Sequence, residues 1–221
     1  DARSRITNRT KAIMPAHYAS NSSEMHMVYE LAKEFGLRVI EDAAQAFGCI
    51  RYDEKVGCIG DVVCFSFDGI KNITCGEGGA ILTSDDLLAE KVRDARLLGV
   101  QKDTQNRFSG RRSWDFDVEK IGFRAHMSNI NAAIGRAQLR RVDEFIKKRR
   151  KLALKYKDLI SKFQTVATFN HDYGEICPHI FPVKIKESKR SSLIAAFEEE
   201  EVEYGFHYKP NHLLSYFKKD D

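Results

Sequence analysis

Two short segments concentrate the side chains that could do chemistry. EDAAQAFG, residues 41–48, places Glu41 and Asp42 at the end of the apolar run LRVI, residues 37–40. FSFDGIKNITCGEGG, residues 65–79, places Ser66 and Lys71 at the end of a second apolar run, VVCFSF, residues 62–67. In open α/β sheets ligands gather beyond the carboxyl ends of the strands, where both segments would lie. Each residue alone also has a plain structural reading: Asp42 as a cap for the AAQA segment that follows, Lys71 as a surface lysine. Together they suggest more. A lysine just after a buried strand, opposite an acid at a neighbouring strand end, is what pyridoxal phosphate chemistry needs. The lysine can hold the aldehyde as a Schiff base, and the acid can keep the pyridine nitrogen protonated so that the ring accepts electrons.

Other constellations are weaker. Gly76, Gly78 and Gly79 complete neither G-x-G-x-x-G nor a P-loop, so GEGG reads as a tight turn before a strand. Cys49, Cys58, Cys64, Cys75 and Cys177 are odd in number and form no C-x-x-C pair, which points to reduced thiols. There is no H-E-x-x-H, and His207 and His212 stand five apart, off a common helical face; no metal site is expected.

Composition agrees with a globular protein of one domain or a domain and a half: 221 residues, 43% hydrophobic and 31% charged. A net charge of +4 is too small to imply nucleic acid, and the basic run KKRRK, residues 147–151, lies in a helical pattern without interleaved aromatics. No apolar run approaches the roughly 18 residues of a membrane helix, and no secretory leader opens the chain, so a cytoplasmic protein is the expectation.

The elements that must position Asp42 and Lys71 follow from periodicity. Residues 1–10 read as a polar lead and residues 11–17 as a short strand. Met25, Val28, Tyr29, Leu31, Ala32 and Phe35 then recur at helical spacing before Gly36, a favoured C-cap. Strand, helix and the strand at 37–40 make a parallel βαβ unit. Buried strands are expected at 62–67 and 80–83, then a helix capped by Ser84, Asp85 and Asp86 and running to Gly99. Residues 101–120, with the single Trp114, read as a long surface loop. One long connecting helix is expected within 128–165, followed by a strand at 179–185, a helix at 190–201 and a strand at 203–208. No internal repeat is found.

EDAAQAFG, then VGCIGDVVCFSFDGIKNITCGEGGAILTSD, residues 56–85, then IGFRAHMSNINAAIGRAQL, residues 121–139, in this order and at these intervals, resemble the DegT/DnrJ/StrS family of sugar aminotransferases. The resemblance runs from about Ile6 to about Tyr216. It implies an α/β fold: an incomplete fold type I large domain over 1–127 with a mostly parallel sheet, the connecting helix over 128–165, and the start of a small α+β domain over 166–221. It further implies pyridoxal 5′-phosphate as cofactor. Carried over, Lys71 matches the Schiff-base lysine, Asp42 the acid at the pyridine nitrogen, Gln45 the residue near the ring hydroxyl, and Ser66 a phosphate ligand. His126 matches a position that reaches the phosphate of the partner subunit, which implies a homodimer.

The implied reaction moves an amino group from a donor such as glutamate to a nucleotide-linked keto-sugar, in amino-sugar biosynthesis for surface polysaccharide or a related glycoconjugate. The superfamily's dehydratases replace the lysine by histidine, so Lys71 favours amino transfer. Asp68 stands where the family often has His or an aromatic, and Ala125 and His126 replace commoner Tyr and Asn or Arg. The family's phosphate-cupping loop and ring-stacking aromatic precede the region matched by Asp1, and its small domain continues past Asp221. The expectation is therefore an internal fragment of a larger enzyme, with an inactive truncated remnant as the alternative.

Overall fold

The computed structural model describes residues 1–22, 24–101, 109–110 and 116–217. Trp114 and most of the expected 101–120 loop lie outside the described residues. Instead of a featureless lead, the chain opens on a one-turn helix, Ala2–Arg5, and then enters β1, Ala12–Ile13. An amphipathic helix, α1, Met25–Phe35, ends at Gly36, whose φ of 64° is the left-handed C-cap conformation glycine adopts without penalty. The chain returns as β2, Arg38–Asp42. Strands β1 and β2 pair in parallel, and Met25, Ala32 and Val39 bury themselves between helix and sheet.

A small antiparallel hairpin follows, β3 (Ile50–Arg51) and β4 (Glu54–Lys55), turning at Tyr52 and Asp53, both at positive φ. Apolar patterning misses it because each strand is two residues long. β5, Val62–Ser66, pairs in parallel with β2, with Asp42 opposite Cys64, and β6, Gly79–Thr83, pairs antiparallel with β5. The sheet order is β1-β2-β5-β6, mostly parallel as expected. The 80–83 segment, read as a buried strand, is the outermost strand and leaves Ile81 and Leu82 exposed.

Helix α2, Asp86–Ala95, is capped by Asp85, whose carboxylate accepts from the Leu88 N–H at 3.0 Å. The expected single helix within 128–165 is two: α3, Asn129–Leu139, and α4, Val142–Ile160. The break falls at Arg141, where φ −108° and ψ 4° leave the helical region. Apolar spacing runs through it unchanged because it cannot register one residue's dihedrals. Asp143 and Glu144, acids in the first turn of α4, are the sequence signal of a new N-terminus.

Beyond α4, β7 (Val166–Thr168) and β8 (Val183–Ile185) form a two-stranded antiparallel sheet, followed by α5, Arg190–Glu199. The expected strand at 203–208 is not formed. Its apolar residues are aromatics that contact one another and α5, Tyr204 with Phe197 and Phe206, and no described strand pairs with them. The main core joins these parts: Ala43, Ala46 and Cys49 after β2, Val63 and Phe65 of β5, Ala153 of α4, and Tyr173, Ile176 and Cys177 form one buried cluster. No described helix is long and apolar enough to cross a membrane.

Candidate active site

Parallel pairing of β2 with β5 brings their carboxyl ends side by side, so Asp42 and Ser66 leave the same edge of the sheet. The chain after Asp42 makes consecutive turns instead of a helix: Ala46 N–H donates to Ala43 O at 2.9 Å and Cys49 N–H to Ala46 O at 3.1 Å. The Asp42 carboxylate is half-buried and accepts from the Ala44 N–H at 3.1 Å, which leaves most of its acceptor capacity free for another donor.

Lys71 sits in the loop that follows β5. Phe67 closes that loop by donating to Gly78 O and accepting from Cys75 N–H, both at 2.8 Å, and Lys71 N–H donates to Asp68 O at 3.0 Å. The next residue anchors the lysine. Asn72 Nδ2 donates to Phe47 O at 2.9 Å, in the Asp42 segment, and to Cys177 O at 3.0 Å, beyond α4. Ser66 Oγ accepts weakly from the Asp68 N–H at 3.4 Å.

Gln45 already has a structural task. Its Oε1 accepts from the Ala19 N–H at 2.8 Å, holding a turn in which Ala19 and Ser20 take φ of 51° and 71°. Consecutive left-handed non-glycine residues are strained and persist only where surroundings fix them. Ser20 Oγ also touches the Gln45 and Cys177 carbonyls at 2.5 and 2.8 Å and accepts from the His179 N–H at 3.0 Å. Four stretches of chain, around residues 20, 45, 72 and 178, are thereby tied together. Cys49 lies in the same knot, its thiol pushed up to about 12 by burial, which suits packing and not nucleophilic work. All five cysteines are free.

His126 is elsewhere. It is exposed on the segment leading to α3, where Asn131 Nδ2 donates to Glu77 O at 2.9 Å and ties that segment to the glycine-rich turn. It lines a groove with Gly78, Gly79, Arg124 and Met127 that none of Asp42, Gln45, Ser66 or Lys71 lines. Within one chain, then, four of the expected residues share a sheet edge or its loops and the fifth does not.

His179 was not singled out by residue type or spacing. Both its ring nitrogens are shielded from solvent and lack a hydrogen-bond partner, as does Asn72 Oδ1. Burial, then the positive charges of Lys71, Arg149 and His207, pull the imidazole down to about 4, against Asp68. A histidine opening an apolar run carries no sequence signal of this; only the fold brings residue 179 to residue 71.

Residues 1–221 match the DegT/DnrJ/EryC1/StrS aminotransferase family. The chain belongs to that family. Its members are aminotransferases that depend on pyridoxal 5′-phosphate. Over 220 residues the chain is 36% identical to the spore coat polysaccharide biosynthesis protein SpsC of Bacillus subtilis, covering 97% of this chain and 57% of SpsC. Two solved structures are similar at 27% identity. DesV of S. venezuelae, in complex with a ketimine intermediate, superposes with a TM-score of 0.85 over 98% of this chain and 55% of its own. Helicobacter pylori PseC, an aminotransferase of pseudoaminic acid biosynthesis, gives 0.84 over 97% and 57%. The chain thus spans a little over half the length of the relatives it matches.

The donor set fits the family's cofactor: an amine on a pinned loop, an under-partnered carboxylate on the adjoining strand end, and a hydroxyl at the end of β5.

Proposed function

We propose that this chain carries the cofactor-binding part of a sugar aminotransferase, which transfers an amino group from an amino acid donor such as glutamate to a nucleotide-linked keto-sugar. The observation that carries the reading is the junction of β2, β5 and the Lys71 loop, where an amine, a carboxylate and a hydroxyl leave one sheet edge. When bound, pyridoxal phosphate supplies an electron sink and a carrier for the amino group. Lys71 would hold the aldehyde and, when free, would be the base that moves a proton at the substrate carbon. Asp42 would keep the pyridine nitrogen protonated, Ser66 would bind the phosphate, and Gln45, fixed against Ala19, would serve the ring hydroxyl. The pathway is amino-sugar biosynthesis for a surface polysaccharide or related glycoconjugate, in the cytoplasm.

In this reading residues 1–127 form the cofactor-binding part, 128–165 a connector of two helices, and 166–221 part of a small domain. His126, outside its own chain's site, serves the phosphate of a second copy in a homodimer. The experiment is made in the whole protein. Lys71→Ala should abolish the visible absorbance of bound cofactor together with transfer, and retained turnover would defeat the assignment. Where His126→Ala alone lowers activity, mixing it with Lys71→Ala should restore one intact site per heterodimer; no recovery would place His126 in its own subunit's site.

A further inference from the structure

His179 is a half-buried residue whose ring nitrogens are closed off, and the fold holds it firmly yet leaves those nitrogens unpartnered. Its backbone N–H is fixed on Ser20 Oγ at 3.0 Å, while both ring nitrogens are closed to solvent and make no hydrogen bond. Such groups are rare in folded proteins, and each calls for a physical reason. Held down to about 4 by burial and its cationic neighbours, the ring is neutral at physiological pH and presents one N–H and one lone pair.

The charged groups around it are Lys71, Arg149, His207 and Asp68. Arg149 is engaged elsewhere, its Nη1 donating to the carbonyls of Pro178 and His179 at 3.0 and 3.3 Å, so it fixes the backbone of the turn. Asp68 offers only acceptors, which do nothing for a lone pair. Lys71 is different. Its loop is pinned to this same turn through Asn72 and Cys177 O, while its own side chain has four rotatable bonds and ends in a donor. The amine can therefore swing while its root stays fixed beside His179.

We propose that His179 is a positioning residue for Lys71: its lone-pair nitrogen accepts a hydrogen bond from the Lys71 amine whenever that amine is free of cofactor. The inference rests on Lys71 being the Schiff-base lysine, which must alternate between a bound and a released state. A released lysine without such a partner is free to turn into solvent. With it, the amine stays aimed at the reacting carbon.

The test uses the whole protein stripped of cofactor. Competitive acetylation across pH, with the Lys71 peptide quantified by mass spectrometry, reports how readily that amine loses its proton. A hydrogen bond to the protonated amine favours it, so His179→Leu should lower the Lys71 midpoint by about 0.5–1 pH unit, which is roughly three- to tenfold more labelling near neutrality. His179→Gln, which keeps an acceptor, should restore the wild-type midpoint. An unchanged midpoint in a folded His179→Leu protein would overturn the proposal. A second measurement leaves His179 in place: its ring-proton NMR titration should move to higher pH in Lys71→Met, and no movement would show that the imidazole does not sense the amine. Failure of the Schiff-base assignment looks different. Lys71→Met would then keep bound-cofactor absorbance, a result read without reference to His179.

Discussion

Glu41 and Asp42 are successive carboxylates on β2, so they face opposite sides of the sheet, and those sides are built on opposite terms. Glu41 is completely buried and fully engaged. Arg51 clamps it through Nη1 at 2.7 Å and Nη2 at 3.1 Å, His17 Nε2 donates at 2.7 Å and Tyr29 OH at 2.6 Å. Burial alone would raise its pKa, but these hydrogen bonds and the Arg51 charge bring it down to about 2. Even the adjacent Gly60 is part of the arrangement: at φ +152° a side chain is disfavoured, and a Cβ there would lie 2.9 Å from Glu41 Oε1. Asp42 instead keeps one bond, to Ala44, and the polar atoms near Lys71 include the unpartnered ring of His179 and Asn72 Oδ1. The difference teaches which side is frame and which is site. A saturated buried charge fixes the strand, whereas under-partnered polar groups keep hydrogen-bonding capacity free, as the proposed cofactor site requires.

The largest expected effect breaks the frame. Glu41→Leu leaves the buried Arg51 guanidinium facing no carboxylate, and loss of one member of such a pair typically costs about 3–5 kcal/mol. Urea denaturation of the whole protein should show that loss; a change below about 1 kcal/mol would mean the network is dispensable. Asp42→Asn should do the reverse. Stability is expected to stay within about 1 kcal/mol, since an amide oxygen can still accept from Ala44, while transfer falls by at least about 100-fold. Should Asp42→Asn unfold the protein as Glu41→Leu does, the division between frame and site fails.

Much of this arrangement was legible in the sequence. The apolar runs ending in Glu41–Asp42 and in Ser66 are short and β-branched, and the helix between β1 and β2 carries both its period and its glycine stop, so the parallel core of the sheet follows from local signals. What escaped depends on contacts far apart in sequence. His179 is 108 residues from Lys71, and nothing within HIFP says that its ring is shut away beside a lysine loop. The role of Glu41 was equally hidden, because its partners His17, Tyr29 and Arg51 are spread over a loop, α1 and β3 and look like ordinary surface types. The missed break at Arg141 is of another kind, a local conformation to which periodicity is blind.

The two regions should also titrate apart. His179 has a folded value of about 4, below the ordinary 6.5, so between those values the unfolded chain binds more protons and stability falls as the solution is acidified. The slope approaches about 1.4 kcal/mol per pH unit in mid-window, and His179→Gln should lack it. Glu41 acts lower. Its contribution is complete above the ordinary 4.5 and is lost as pH falls towards about 2, so Glu41→Gln should flatten only that limb. Denaturation midpoints followed from pH 7 to 2 in the wild type and both variants separate the limbs; an acid slope between 6.5 and 4 that survives in His179→Gln would assign it to another group.

The smallest effect tests how evenly the Glu41 frame is shared. Tyr29 OH donates to Glu41 Oε1 at 2.6 Å and accepts from the Asp61 N–H at 2.9 Å, and its own pKa is raised, by burial first and then by the hydrogen bond to Glu41. Tyr29→Phe removes the hydroxyl while keeping the ring, so the cost is that of the polar contacts alone. Glu41 would retain Arg51 and His17, leaving its charge paired, and the Asp61 N–H would lose its acceptor. The expected loss is about 1–2 kcal/mol, well short of that for Glu41→Leu, because no buried charge is stranded. With one donor fewer, the Glu41 titration should also move up from about 2, so the acid limb still begins near 4.5 but levels off at higher pH and is smaller. A loss as large as that of Glu41→Leu would show that the tyrosine, and not the Arg51 pair, keeps the frame together.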